Sequence, residues 1–222
     1  MRLVANSTKR RAIVLSGLVL LCVLGGLIYH RWRHRSERFP AFSQADMASW
    51  RSYGGDWQLH DGIYSNRADG RGDKLVGGPT EWGDYSVSAD IRFDTAPQDT
   101  TYGDAGLMLR VLDASIGVDA MRAYYAALRM DDHMLVIGAM AFQYHELATT
   151  SFPHEMHTGR WYHLIFSSRG CVFHLRAEDT VTGEAADVSY VEQTCDPRQG
   201  QVGLRSYYAK ASWRDLHVQL LH

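Results

Sequence analysis

Acid–base cleavage of a glycosidic bond uses two carboxyl groups, about 5–5.5 Å apart when configuration is retained. On a β-strand this asks for carboxylates two residues apart, because only those share a face. The chain offers no such run. Glu178 and Asp179 are adjacent, so a strand sends them to opposite faces. Glu184 lies beyond a turn signal, and Glu146 and Glu155 have no carboxylate at the needed offset. The spacing argues against a single-strand acid pair and leaves open acids drawn from separate loops. His154 and His157 would share a metal on a helix, but their segment reads as a loop, and no third or fourth ligand stands out. Arg71-Gly72-Asp73 is a three-residue coincidence on a Gly-rich stretch. No catalytic residue and no metal ligand is assigned on these grounds. The segments DTTYGDAG (99–106) and DASIGVDAM (113–121) set aspartates near glycines, which makes Ca²⁺ the one cofactor worth considering.

Aromatic side chains are the other lead. Trp82, Tyr124, Tyr144, Tyr207 and Tyr208 are the candidate contacts for a glycan or a protein partner, since both stack on exposed rings. Tyr124 and Tyr125 are consecutive, so on a strand one of them faces inward and one outward.

The elements that must carry these residues repeat with period two. In DYSVSADIRF, the residues Tyr85, Val87, Ala89, Ile91 and Phe93 fall on one face, and Ser86, Ser88, Asp90 and Arg92 on the other. That pattern is a strand with one buried side. Further strands are expected over 105–112, 122–130, 133–142, 160–168 and 172–178. Turn signals at 60–62, 130–133 and 168–170 separate hairpin arms, and the final stretch 200–221 reads as a closing hairpin. No helical pattern of useful length follows residue 50. Many short antiparallel strands predict an all-β sandwich or barrel.

The amino-terminal part differs. Residues 12–29, AIVLSGLVLLCVLGGLIY, carry no charge and as a helix would span about 27 Å, close to a bilayer core. No small-x-small cleavage site ends this run, so it is expected to be an uncleaved signal anchor. The expected organisation is a basic cytoplasmic tail at 1–11, a transmembrane helix at 12–29 in contact with lipid, a basic stalk at 30–46, and a sandwich domain at 47–222. Residues 1–46 hold eight Lys and Arg against two Asp and Glu, whereas 47–222 hold 15 against 23. The acidic bulk argues against a nucleic-acid partner. Charge on the two sides of the apolar run is balanced and does not set its orientation. Cys171 and Cys195 either pair or remain buried thiols. Pairing would need an oxidising compartment and, with the domain type, favours a single-pass inner-membrane protein whose sandwich lies in the periplasm.

The segments GDWQLHDGIY, WGDYSVSADIRF, AGLMLR, YYAAL, GRWYHLIFSSRG and GQVGLRS…ASWRDLHV, in this order, resemble concanavalin A-like jelly-roll domains. The likeness extends to bacterial laminin-G-like domains and to the keto-disaccharide hydrolase type, and covers about residues 50–221. It implies a concanavalin A-like jelly-roll sandwich behind one N-terminal transmembrane helix. Trp57, Trp161 and Trp213 are then expected in the core, with Asp215 tying the last strand to a neighbouring loop. Laminarinase-type hydrolases on this fold use Glu-x-Asp-x-x-Glu, which is absent here. The expected function is a non-catalytic, membrane-anchored interaction module, an accessory or scaffold subunit of a membrane complex such as a respiratory or photosynthetic one. The alternatives are an envelope glycan-binding domain and a glycoside hydrolase of keto-disaccharide type.

Overall fold

A computed structural model describes residues 50–95 and 103–221. The tail, anchor and stalk expected over 1–46 lie outside the described residues. Among the described residues no helix is long and apolar enough to cross a membrane.

The strands are β1 (Arg51–Tyr53), β2 (Trp57–His60), β3 (Ile63–Asn66), β4 (Asp73–Gly77), β5 (Tyr85–Phe93), β6 (Asp104–Leu112) and β7 (Arg122–Arg129). They continue as β8 (Met134–Ala141), β9 (Tyr144–Ser151), β10 (Trp161–Arg169), β11 (Val172–Asp179), β12 (Ala185–Val191), β13 (Gln201–Tyr207) and β14 (Ala211–Leu220). They form two seven-stranded sheets. The first runs β12-β11-β10-β5-β14-β3-β2, and the second β1-β4-β13-β6-β7-β8-β9. Every pairing is antiparallel. The architecture is the all-β jelly-roll sandwich.

Period two builds the core between the sheets. Tyr85, Val87, Ala89, Ile91 and Phe93 of β5 are all fully buried, as their alternation requires. They meet Leu107 and Leu109 of β6 and Tyr124, Ala126 and Leu128 of β7 across the sandwich. Tyr124 stacks on Phe173 with centroids 3.9 Å apart, an aromatic contact that joins the two sheets. The hairpins expected at 60–62, 130–133 and 168–170 are present as β2-β3, β7-β8 and β10-β11.

Three expectations change. Residues 200–221 are not a hairpin: β13 pairs with β4 and β6, whereas β14 pairs with β3 and β5 in the other sheet. Alternation is the same whichever sheet a strand joins, so it does not disclose the partner. Trp213 is fully buried, and Trp57 packs on it at 5.2 Å, but Trp161 lies outside the core. Its ring takes the guanidinium groups of Arg92 and Arg214 at 4.6 and 4.3 Å. Asp215 does not reach a loop. It sits at φ 52°, where β14 shifts register between Arg214 and His217, and Arg214 instead pairs with Asp90 at 3.0 Å.

Cys171 and Cys195 form a disulfide across 24 residues of sequence. It fixes the segment before β13 to the start of β11. The buried guanidinium of Arg110 binds the same region through Gly83 O at 2.9 Å, Gly170 O at 2.7 Å and Asp84 at 3.1 Å. Closing a loop of this length restricts the unfolded chain, a stabilisation of about 3–4 kcal/mol in the chain-entropy account. Replacing both cysteines by serine should lower the unfolding free energy by that order. Urea titration checks this, with reduced wild type as a second comparison.

Candidate functional site

The outer face of the second sheet carries the cleft. Register places its floor directly. Arg205 of β13 lies opposite Gly106 of β6, Gly106 opposite Ala127 of β7, and Ala127 opposite Val136 of β8. The row beside it is Tyr207, Asp104 and Arg129. The row on the other side holds Met108, Tyr125, Gly138 and Glu146. The middle row is small at Gly106 and Ala127, so it forms a trough between two taller rows. Its volume is about 600 Å³, within the range of small-molecule sites. From β13 to β8 it crosses three inter-strand gaps, roughly 14 Å.

Three walls close it. Tyr144 packs over Gly138, where any side chain would collide with its ring. Val118 and Asp119 arrive from the loop 113–121, which caps the small apolar cluster of Met108, Val111, Met121, Ala123 and Tyr125. Lys74 of β4, fully buried, holds this loop by donating from Nζ to Gly117 O at 2.7 Å. Burial and the nearby Arg205 charge lower its ammonium to about 8. The third wall is Arg71 with Tyr207.

The charged groups form two linked nodes. Arg205, only 3% exposed, donates from Nη1 to Asp104 at 3.4 Å and from Nη2 to Asp119 at 3.2 Å. Its guanidinium carbon stands 4.8 Å from the Tyr125 ring centroid and 5.4 Å from that of Tyr207. Its Nε is buried and has no acceptor. Tyr125 donates its hydroxyl to Asp104 at 2.6 Å. Burial raises the Asp104 carboxyl to about 6, against the opposing pull of Arg205 and the Tyr125 hydrogen bond. The second node is Arg129, which donates to Asp132 from Nε and Nη2 and to Glu146 from Nη1, the shortest contacts being 2.7 Å. Arg129 lies opposite Asp104, so the nodes share that carboxylate's field.

Of the aromatic candidates, the structure brings Tyr144 and Tyr207 into the cleft and sets Tyr208 against Tyr207 at its rim, 4.6 Å between centroids. Tyr124 and Trp82 are corrected. Tyr124 is 1% exposed and faces between the sheets, so its neighbour Tyr125 is the one that faces the cleft. Trp82 is buried edge-on to Tyr85. Arg205, Asp104, Asp119, Arg129 and Asp132 were not singled out by sequence. Only Arg205 carried a signal, a charge on the outward face of a strand opposite glycine; Asp104 and Arg129 face each other at strand ends, and Asp119 and Asp132 lie in a loop and a turn. The His154–His157 segment is a loop, and His154 contacts Asp179 at 3.1 Å. Among the described residues no three His, Cys, Asp or Glu side chains gather to hold a metal ion. The 113–121 segment considered for Ca²⁺ instead supplies Asp119 to Arg205.

Residues 40–219 match the 3-keto-α-glucoside-1,2-lyase-like domain. The chain belongs to this family. Its lyase-like domain takes in all fourteen strands described above except the last residue of β14. No curated protein sequence matches the chain. Solved structures share the fold of this lyase-like domain at low identity. The carbohydrate-binding module CBM66 from Bacillus subtilis is 17% identical with a TM-score of 0.61, over 77% of this chain and 95% of that one. A Bacillus subtilis protein of unknown function with a galectin-like fold is 16% identical with a TM-score of 0.62, over 82% and 94%. Lectin II from Ulex europaeus is 9% identical with a TM-score of 0.57, over 77% and 92%. The lyase-like domain thus has a lectin-like sandwich fold.

Proposed function

We propose that the cleft on the second sheet binds a saccharide. The observation that carries this reading is Arg205: a guanidinium buried in the cleft wall, with an Nε that lacks an acceptor. A buried donor without a partner costs about 1–3 kcal/mol, which a ligand oxygen would recover. The rest of the cleft favours a neutral, hydroxyl-rich molecule. Its three arginines face Asp104, Asp119, Asp132 and Glu146, so there is no positive excess to attract an anion. Charged donors and acceptors alternate beside tyrosine rings, which suits hydroxyls and C–H faces together. The carbohydrate-binding module and lectin among its structural relatives support the same class.

Titration of the full chain with methyl α-D-glucopyranoside and maltose, each as the parent sugar and oxidised at C3, tests the reading. Saturable binding is expected for at least one of them. Ala127→Phe should abolish it, because the new ring fills the trough; Ala127 is itself buried in the outer apolar cluster, so thermal melting run alongside shows that the variant is folded. Binding that survives Ala127→Phe unchanged would place the ligand elsewhere.

A second reading, acid–base cleavage of a keto-sugar, is favoured by Asp104. A carboxyl near 6 can hold or release a proton around neutral pH. With a carbonyl oxygen on Arg205, the ionised Asp104 would take the proton α to it, the ring carbon–carbon double bond would form as the bond from C1 to the glycosidic oxygen breaks, and the Asp104 carboxyl would return its proton to the departing oxygen. The family's lyase name points the same way. Release of methanol from the C3-oxidised methyl glycoside, and of glucose from maltose oxidised at C3 of its non-reducing ring, both lost in Asp104→Asn, is the expected result; binding without turnover would leave recognition alone.

The exported location also stays a proposal. The Cys171–Cys195 bond supports an oxidising compartment. The membrane-complex role rests on residues 12–29, outside the described residues, and the cleft adds nothing to it.

A further inference from the structure

Lys74 is a charge in a place where folding asks for none. It stands on the outward face of β4, in register with Arg205 of β13 and Tyr53 of β1. Val76, two positions on and so on the same face, packs in the small apolar cluster there. A methionine would fill the same space and extend that cluster. Instead a fully buried ammonium lies beside a second buried cation. The charged groups that face it are Arg205, Asp119 of the loop 113–121 and Asp73 of its own strand, with the phenol of Tyr53 alongside on β1. Burial and Arg205 bring the amine from its ordinary 10.5 to about 8, against the pull of Asp119 and Asp73. Between those values the unfolded chain keeps the proton and the folded chain has lost it. Stability from this group is therefore complete above about pH 10.5 and is lost as pH falls through 8. At neutral pH the charge weakens the fold.

What the charge holds is the loop. Lys74 Nζ donates to Gly117 O at 2.7 Å and to Gly72 O at 3.4 Å, which ties the loop to the start of β4. A Cβ on Gly72 would collide with Val118 O, so the loop backbone lies directly on the strand. The next two residues, Val118 and Asp119, enter the cleft. Asp119 accepts from Arg205 Nη2 at 3.2 Å while Asp104 takes Nη1, so the direction of Nε depends on both carboxylates. The base of the loop is attached separately. Arg122 holds Asp113 at 2.8 Å, and the Ser115 amide donates to Ala120 O at 2.9 Å. Loss of the Lys74 tie would free residues 116–119 and leave the base in place.

We propose that Lys74 is a positioning residue of the cleft: its ammonium seats the middle of loop 113–121, which sets Asp119 against Arg205, so that Arg205 Nε is aimed into the trough only while Lys74 is protonated. The effect on affinity rests on the saccharide reading of the cleft; the attachment of the loop does not. A neutral amine is a weaker donor to Gly117 O and no longer attracts Asp119. Removing the like charge beside Arg205 eases that residue's burial but supplies nothing that holds the loop.

Two measurements on the full chain test this. Without sugar, nuclear magnetic resonance follows the Lys74 Cε and Val118 methyl signals with pH. Val118 should move with the Lys74 midpoint, near 8, and should stay still in Lys74→Met. With sugar, calorimetric titration uses whichever of methyl α-D-glucopyranoside and maltose, parent or C3-oxidised, binds at pH 7.5. Affinity should fall about fivefold between pH 7.5 and 9.5, the difference between a charged and a neutral donor. The melting temperature, taken relative to Lys74→Met, should rise over the same interval; a merely structural lysine would move the two together. Lys74→Arg keeps its charge throughout and should hold affinity level. Lys74→Met should bind about tenfold more weakly than wild type at pH 7.5 and show no further fall. A Lys74 titration that Val118 ignores, or a Val118 shift that survives in Lys74→Met, overturns the proposal. So does a wild-type affinity that is level to pH 9.5. If none of the four sugars binds, the saccharide reading fails, and the Val118 result alone decides whether Lys74 seats the loop.

Discussion

Arg205→Lys lowers saccharide affinity by about 30-fold, from the loss of hydrogen bonds to a charged donor, and leaves the protein folded. Arginine is used here as a fork. Two of its nitrogens hold Asp104 and Asp119, and the third, Nε, is left for the ligand. Lysine keeps the charge but has no fixed fork and no equivalent of Nε. The fold tolerates the change because the remaining partners adapt. Asp104 still accepts the Tyr125 hydroxyl at 2.6 Å, and its raised pKa lets it take a proton when a cation partner weakens. Side-by-side titration and thermal melting separate the outcomes. An unchanged affinity with an unchanged melting temperature would show that Arg205 is only a strut. Collapse of the fold would be resolved with Arg205→Gln, which retains an amide donor and sheds the buried charge.

Binding should also depend on pH through Asp104. In the folded chain its carboxyl is raised to about 6 by burial; unfolded, it returns to about 3.9. Between those values the folded state holds the proton and the unfolded state has lost it. Its contribution to stability is therefore complete below about pH 4 and is lost as pH rises through about 6. With the side chain still 17% exposed, the swing is about 2 kcal/mol. Ligand affinity runs in the opposite direction. Above pH 6 the ionised carboxylate accepts hydroxyl hydrogen bonds about twice as strong as those of the neutral acid, so affinity should rise about tenfold between pH 5 and 7.5. Asp104→Asn should flatten both profiles. Arg205, Arg129 and Tyr125 keep one protonation state across that interval, as their shifts are upward. A wild-type affinity that is flat with pH would remove Asp104 from ligand contact.

The sandwich was legible in sequence because one-sided burial writes itself as period two, and β5, β10 and β11 carry it, whereas β6 is buried on both faces and reads as a near-continuous apolar run. The edge strands β9 and β12 were not legible. They are half-exposed along most of their length, so their pattern lacks a buried face to read. The destination of β14 was hidden for another reason: pairing partners are a tertiary property, and the turn at Tyr208 to Lys210 changes sheets without altering the alternation around it. At the site, the tyrosine pair at 207 and 208 could be picked out as aromatics near a strand end. The sign of the 124–125 pair could not, because period two gives opposition and not direction. Arg205 sat in a motif used to recognise the fold, GQVGLRS, and its burial depends on Asp119 arriving from a loop almost ninety positions earlier. Asp104, Asp132 and Glu146 form no one-strand pair: the sheet gathers them from a strand end, a turn and another strand, and no spacing in the sequence records that.

The claim that most needs testing is that a saccharide sits in the trough with an oxygen on Arg205 Nε. Nuclear magnetic resonance on the full chain, titrated with C3-oxidised maltose, reads this atom directly. The account predicts saturable shifts of the Arg205 Nε–H and of the Gly106 and Ala127 amides, absent in Ala127→Phe. Shifts confined to the outer face of the first sheet around Asp90 and His163, or an Arg205 Nε–H that stays still at saturation, would contradict it.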